Sequence, residues 1–124
     1  MLTSHPVVTF LATRDSERAQ QFFETKLGLR LMSQDEFAMV FDASGTSLRV
    51  QKVAELTPQP FTVLGWNIPD IGATLRGLVE RGITFERFGF LEQDSDGVWT
   101  APGGAKVAWF KDPDGNLLSL TQLP

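Results

Sequence analysis

Residues 110–120 run FKDPDGNLLSL. Asp112, Pro113, Asp114 and Gly115 make a turn: the proline presets a negative φ, the glycine supplies a positive one, and the aspartates can bond their own backbone. A new element therefore starts after Gly115. Leu118 and Leu120 alternate with Leu117, Ser119 and Thr121, which predicts a strand with one apolar face and one mixed face. Residues 41–51, FDASGTSLRVQ, have the same shape: an aspartate, a glycine three residues on, then Leu48 and Val50 in alternation. Placing Gly45 on Gly115 puts Asp42 on Asp112. One supersecondary unit is used twice.

A length of 124 residues suits one domain, and the repeat divides it into module 1, residues 1–55, and module 2, residues 60–124. An apolar content of 42%, with ten Phe and three Trp, is ample for a folded core. A net charge of −4 gives no electrostatic reason to approach nucleic acid or an anionic membrane, so neither is expected as a partner. The absence of cysteine excludes disulfides, thiolate metal sites and thiol nucleophiles. Residues 1–15 carry no basic leader, and their apolar run is too short and interrupted for a membrane span. The expected setting is soluble and cytoplasmic.

In chain order, residues 7–13 (VVTFLAT) are β-branched and aromatic and predict a buried strand. Asp15 or Ser16 is placed to cap a helix, and Ala19, Phe22, Phe23 and Leu27 form its apolar stripe until Gly28 stops it. Residues 29–33, 36–42 and 46–52 predict three strands, completing a βαβββ unit. The connector at 53–60, with Pro58 and Pro60, is extended and cannot donate to a ladder. The pattern then restarts: a strand at 61–68, a helix capped by Asp70 with Ile71, Leu75, Leu78 and Val79 as its stripe, and Gly82 at its end. Gly72 and Gly77 inside this helix each cost about 1 kcal/mol relative to Ala, which close packing of helix on sheet would explain. Strands are expected at 83–87, 106–111 and 116–122. Residues 88–104 predict a loop or twisted hairpin with Trp99 near its tip, the ring either covering the end of the core or meeting a ligand.

The repeat nominates a site. Counting back from each capping aspartate makes Val8 and Val63 equivalent, and the glycine alignment pairs Arg49 with Ser119. Two βαβββ units with sheets curved around a common centre leave a cavity opposite the helices. By alternation Val8, Phe10 and Ala12 face it from the first strand, Val63, Gly65 and Asn67 from the fifth, and Leu117, Ser119 and Thr121 from the last, while Trp66 faces the helix. Such a pocket is apolar with a few polar groups, which suits a small organic molecule. Arg49 either pairs bidentately with a ligand carboxylate or phosphate, or meets an acid of the protein such as Glu36, or reaches solvent. Trp109 and Met39 are equivalent by the same alignment and serve either the core or the pocket. Asp112 and Asp114 read as turn residues bonding locally, Asp94 and Asp96 as solvated loop charges, and His5 as a surface group.

Phe22, Phe23, Leu27, Gly28 and Leu29, together with FKDPDGN at 110–116 and the strand after it, resemble the vicinal oxygen chelate superfamily, the glyoxalase, bleomycin-resistance and extradiol dioxygenase group, over essentially the whole chain. The resemblance implies an α+β fold of two βαβββ modules forming curved mixed sheets around a cavity, and a homodimer. In metal-dependent members His and Glu from the first and last strands of each unit hold a divalent ion. The matching positions here are Val8, Arg49, Val63 and Ser119, and none is a usual ligand for such an ion. No metal or other cofactor is expected. The ligand-binding candidates are Phe10, Arg49, Asn67, Trp99, Trp109 and Ser119. The expected function is metal-free binding of a small organic molecule, similar to the drug-sequestering members. The alternative is a lyase or isomerase of the same superfamily that uses Arg49 as an electrostatic stabiliser and a loop acid as base. A third reading is an interaction module whose cavity is filled by Phe10, Trp109 and Met39.

Overall fold

Period-two alternation makes β1 (Val8–Thr13) a two-sided strand, with Leu11 and Thr13 buried on one side and Val8 and Phe10 exposed on the other. Asp15 then caps α1 (Ser16–Gln20), its carboxylate accepting the Arg18 amide at 3.2 Å. The helix does not stay α-helical. Residues Gln21–Lys26 form a π-helical turn in which the Leu27 amide reaches the Phe22 carbonyl. The wider turn lets two consecutive rings, Phe22 and Phe23, enter the same core, edge to face at 5.1 Å. Gly28 ends it with φ of 77°. Three strands follow, β2 (Arg30–Gln34), β3 (Ala38–Ala43) and β4 (Thr46–Lys52). Their sheet has the order β1-β4-β3-β2, with β1 parallel to β4 and the other pairs antiparallel.

The computed structural model describes residues 1–124, and contacts gather them into two units, Met1–Thr57 and Pro58–Pro124. The second unit repeats the first. β5 (Thr62–Asn67) leads to α2 (Ile71–Glu80), whose cap Asp70 accepts the Ala73 amide at 3.1 Å. β6 (Trp99–Thr100), β7 (Lys106–Lys111) and β8 (Leu117–Gln122) complete a sheet of order β5-β8-β7-β6, again parallel only at its first pair. Each unit has its own core on the helix side of its sheet. In the first, Phe23, Met39, Phe41, Leu48 and Val50 are fully buried, with Phe23 and Phe41 rings 5.7 Å apart. In the second, Phe110 and Leu118 are fully buried and Leu75 and Leu120 nearly so, and Trp66 stacks on Phe110 at 6.3 Å.

Four expectations change. Residues 83–87 form no strand: Phe85 makes a single bridge to Phe110, after which the loop turns on itself. The Phe88 amide goes to Gln93 Oε1 at 2.7 Å, and the Arg87 guanidinium donates to the carbonyls of Asp94 and Ser95. Trp99 is not at a tip. Asp94 Oδ1 accepts the amides of Asp96 and Val98, closing the turn before it, and Trp99 pairs with Val107. Trp109 and Met39 are not equivalent. Five residues separate Lys111 from its partner Leu117, whereas the matching pair, Asp42 and Ser47, encloses four, so the second turn is longer by one and shifts the count by one. Trp109 faces Ser119 as Val40 faces Arg49, and Met39 lies in the core, where it cannot fill a pocket on the other face. Finally, a side chain at Gly77 would meet open space, so close packing is not its reason, and nothing in the structure explains that glycine.

Asp112 Oδ1 accepts the amides of Asp114 at 3.0 Å and Asn116 at 2.9 Å, and Oδ2 accepts Asn116 Nδ2 at 2.8 Å. Asp112→Ala removes the acceptor of these three buried hydrogen bonds and should cost about 2–4 kcal/mol in urea unfolding; an unchanged midpoint refutes the turn's importance. Burial pushes the Asp112 carboxyl above its ordinary value, the bonds from Asn116 oppose this, and the Asp114 charge adds to it. The folded chain therefore holds this proton to higher pH than the unfolded one. Stability from the group is full below its unfolded pKa and falls as pH rises through the folded value. Relative to Asp112→Asn, the native chain should lose stability from about pH 4 upward. Gly77→Ala should stabilise the protein by about 0.5–1 kcal/mol in the same assay, and a loss would mean that the position is constrained.

Candidate functional site

The face of each sheet away from its helix carries the nominated residues. In the first unit, register places Phe10, Arg49 and Val40 in one row across β1, β4 and β3, with Val8, Ser47 and Asp42 in the next. The row is apolar except for its centre. Phe10 keeps 54% of its surface exposed and Val8 45%, so this face is greasy and open within its unit. Arg49 stands on the central strand pair with both neighbours hydrocarbon. Neither Glu36 nor any other acid forms an ion pair with it; Asp35 lies near enough only for its charge to be felt. Asp35 itself is engaged elsewhere, accepting the Phe37 amide at 2.8 Å and the Ala38 amide at 2.9 Å. Those bonds from Ala38 and Phe37 hold its carboxyl below the usual range, with Arg49 and Lys52 as weaker contributors. A carboxylate stabilised in this way is a poor base at neutral pH.

In the second unit the corresponding row is Gly65, Ser119 and Trp109, and the next is Asn67, Thr121 and Val107, extended by Trp99. Phe10 opposite Arg49 and Gly65 opposite Ser119 occupy the same register, so the equivalence counted along the chain holds across the ladder. Gly65 leaves room there: a Cβ would lie 2.7 Å from Ser119 Oγ and would force that hydroxyl to turn away, and its absence lets the hydroxyl extend over β5. Ser119 is 7% exposed, while Asn67 is exposed. Trp109 donates from Nε1 to Thr62 Oγ1 at 3.1 Å, which fixes its ring across the strands. Trp99 lies 6.1 Å from it, and Phe88 meets it edge-on at 5.4 Å with Phe90 a further 5.7 Å on.

Sequence reasoning missed Phe88, Phe90 and Thr62. The first two had a signal in the pattern Phe-Gly-Phe at 88–90, where the glycine marks a turn; in the structure the Leu91 amide closes it on the Phe88 carbonyl at 3.0 Å. Thr62 had none, because its contact to residue 109 depends on the register of β5 against β8.

The donors present do not fit a divalent ion. Val8, Arg49, Val63 and Ser119 offer two hydrocarbons, a cation and a neutral hydroxyl, and β1, β4, β5 and β8 contain no His, Asp or Glu. No three acidic, histidine or cysteine side chains gather anywhere to hold a metal.

Solved structures share this architecture. TnmS3, an antibiotic binding protein from Streptomyces sp. CB03234, superposes with a TM-score of 0.75 at 24% identity, over 100% of this chain and 99% of that one. A bleomycin resistance determinant encoded on the transposon Tn5 gives 0.76 at 23% identity, over 97% and 98%. A member of the glyoxalase/bleomycin resistance protein/dioxygenase superfamily from Sphaerobacter thermophilus gives 0.76 at 21%, over 98% and 99%. At these identities the likeness is one of fold. No curated protein matches the chain. The family model for glyoxalase, bleomycin resistance protein and dioxygenase matches residues 4–120. Taken with the doubled sheet and its register, that match means that the chain belongs to the Glyoxalase/Bleomycin resistance protein/Dioxygenase superfamily.

Proposed function

We propose that this protein binds a small organic anion reversibly, without a metal, as a cytoplasmic homodimer. The observation that carries the reading is Arg49: a guanidinium at the centre of an apolar row, with no ion pair of its own in the chain. Half-buried and without an internal counter-charge, this guanidinium is available to a ligand, and a carboxylate or phosphate pairs with it bidentately. Phe10 gives an apolar surface beside it. The second unit has a face of its own for a ligand: Trp109 and Trp99 offer flat surfaces to an aromatic or conjugated molecule bound there, and Ser119 and Asn67 offer it hydrogen bonds. Two structural relatives, an antibiotic binding protein and a bleomycin resistance determinant, support the same class of function.

The dimer is supported by Phe10, Val8 and Val63, which keep 54%, 45% and 42% of their surface in water on otherwise ordered strands. No helix is long and apolar enough to cross a membrane, so these residues are not part of a helical span. The enzyme reading needs a base beside Arg49. Asp35 is the acid whose charge reaches Arg49, and its backbone bonds weaken it for that task.

Anilinonaphthalene sulfonate, an anionic aromatic probe, should quench the tryptophan fluorescence on titration, and Arg49→Met should weaken its binding about tenfold. Equal affinity in the two proteins overturns the role of Arg49. Light scattering should give twice the 13.7 kDa chain mass, and Val63→Glu should move the protein to monomer. A monomeric native protein overturns the dimer.

A further inference from the structure

A cleft of about 360 Å³ lies within the second unit. Its walls are Pro58 and Pro60 of the connector, its inner surface is Phe88 and Leu117, and Lys111 and Gln59 are its polar lining. We infer that this cleft is a separate binding site for a cyclic or aromatic carboxylate, with the ring among Pro58, Pro60, Phe88 and Leu117 and the anion on Lys111. The inference goes beyond the reading of Arg49 and does not depend on it.

The walls are set by the turn. Gly115 adopts φ of +92°, and a Cβ there would lie 3.1 Å from Pro58 Cγ, so the proline ring rests against the glycine and a larger residue would have to displace it. Two prolines hold their own φ angles, and Leu117 is 6% exposed on β8, so the apolar surface exists before a ligand arrives. A preformed surface spares the ligand an ordering cost. The volume falls at the lower end of the range for small-molecule sites, enough for a ring system rather than a large drug.

The charge selects the ligand's sign. Lys111 Nζ contacts Glu86 at 3.6 Å, with the two side chains 51% and 29% exposed. A pair this long and this wet holds its partners weakly, so Lys111 can exchange the Glu86 carboxylate for a ligand's at little net cost, and Glu86 returns to water. A neutral ring would gain only the apolar contacts, and a cation would meet the lysine.

The test is a titration of the isotope-labelled full chain with naphthoate and with neutral naphthalene methanol, followed by amide chemical shifts. Naphthoate should move the amides of Gln59, Phe88, Lys111, Gly115 and Leu117. Lys111→Met should weaken naphthoate about three- to fivefold and leave naphthalene methanol unchanged, and Arg49→Met should leave these shifts in place. Unaltered naphthalene methanol binding also certifies the fold of the variant, and Lys111→Gln serves as a second neutral replacement. Shifts confined to β1 and β4 overturn the cleft while leaving the Arg49 reading intact. Shifts at the cleft that do not depend on Lys111 overturn the choice of a carboxylate, and no shift at the five residues at millimolar probe overturns the site.

Discussion

In each unit an aspartate meets the amide of a positive-φ glycine three residues later. Asp42 Oδ1 accepts from Gly45 at 2.9 Å, and the Asp112 carbonyl accepts from Gly115 at 3.0 Å. These contacts close the turns that set β3 against β4 and β7 against β8, and the central strands β4 and β8 are each paired on both sides. A slip of one residue at either turn would send Leu48 and Val50, or Leu118 and Leu120, out of the core and bring Arg49 or Ser119 into it. Burying a guanidinium among Phe23, Phe41 and Met39 would be prohibitive, so composition and turn geometry enforce the same register.

With that register held, the two units diverge in what they offer. The first presents a cation between hydrocarbons; the second presents a hydroxyl beneath a wall of indole and phenyl rings. Gly65 accounts for part of the difference, because removing the side chain opposite Ser119 clears space that Phe10 occupies in the first unit. The extra residue in the second turn accounts for another part. It rotates the alignment so that an indole, rather than an aliphatic side chain of Val40's kind, is matched to Ser119.

The loop at residues 85–98 supports this wall without forming a long strand. Arg87 and Gln93 satisfy carbonyls and amides that a ladder would otherwise have used, Gln93 Nε2 donating to Glu86 at 3.0 Å and to Gly97 at 2.8 Å. Side-chain bonds of this kind compete directly with strand pairing, and they hold Phe88 where it meets both Trp109 and the Pro58–Pro60 cleft.

The chain by itself determined the fold, because the signals that specify it are local: period-two alternation, aspartate caps at 15 and 70, glycines at 28 and 82, and two matching turns. It also determined which side of its own sheet each side chain takes, since Phe10 and Arg49 in the first unit, and Asn67 and Ser119 in the second, follow from alternation within single strands. Tertiary structure alone decided the cross-strand facts. That Trp109 faces outward while Met39 is core depended on one extra turn residue, that Trp99 pairs with Val107 depended on where the 94–97 turn closed, and that Arg49 has hydrocarbon neighbours in place of an internal counter-ion depended on the strands that flank it. Each is a competition for hydrogen bonds or space between residues far apart along the chain, which no local pattern encodes.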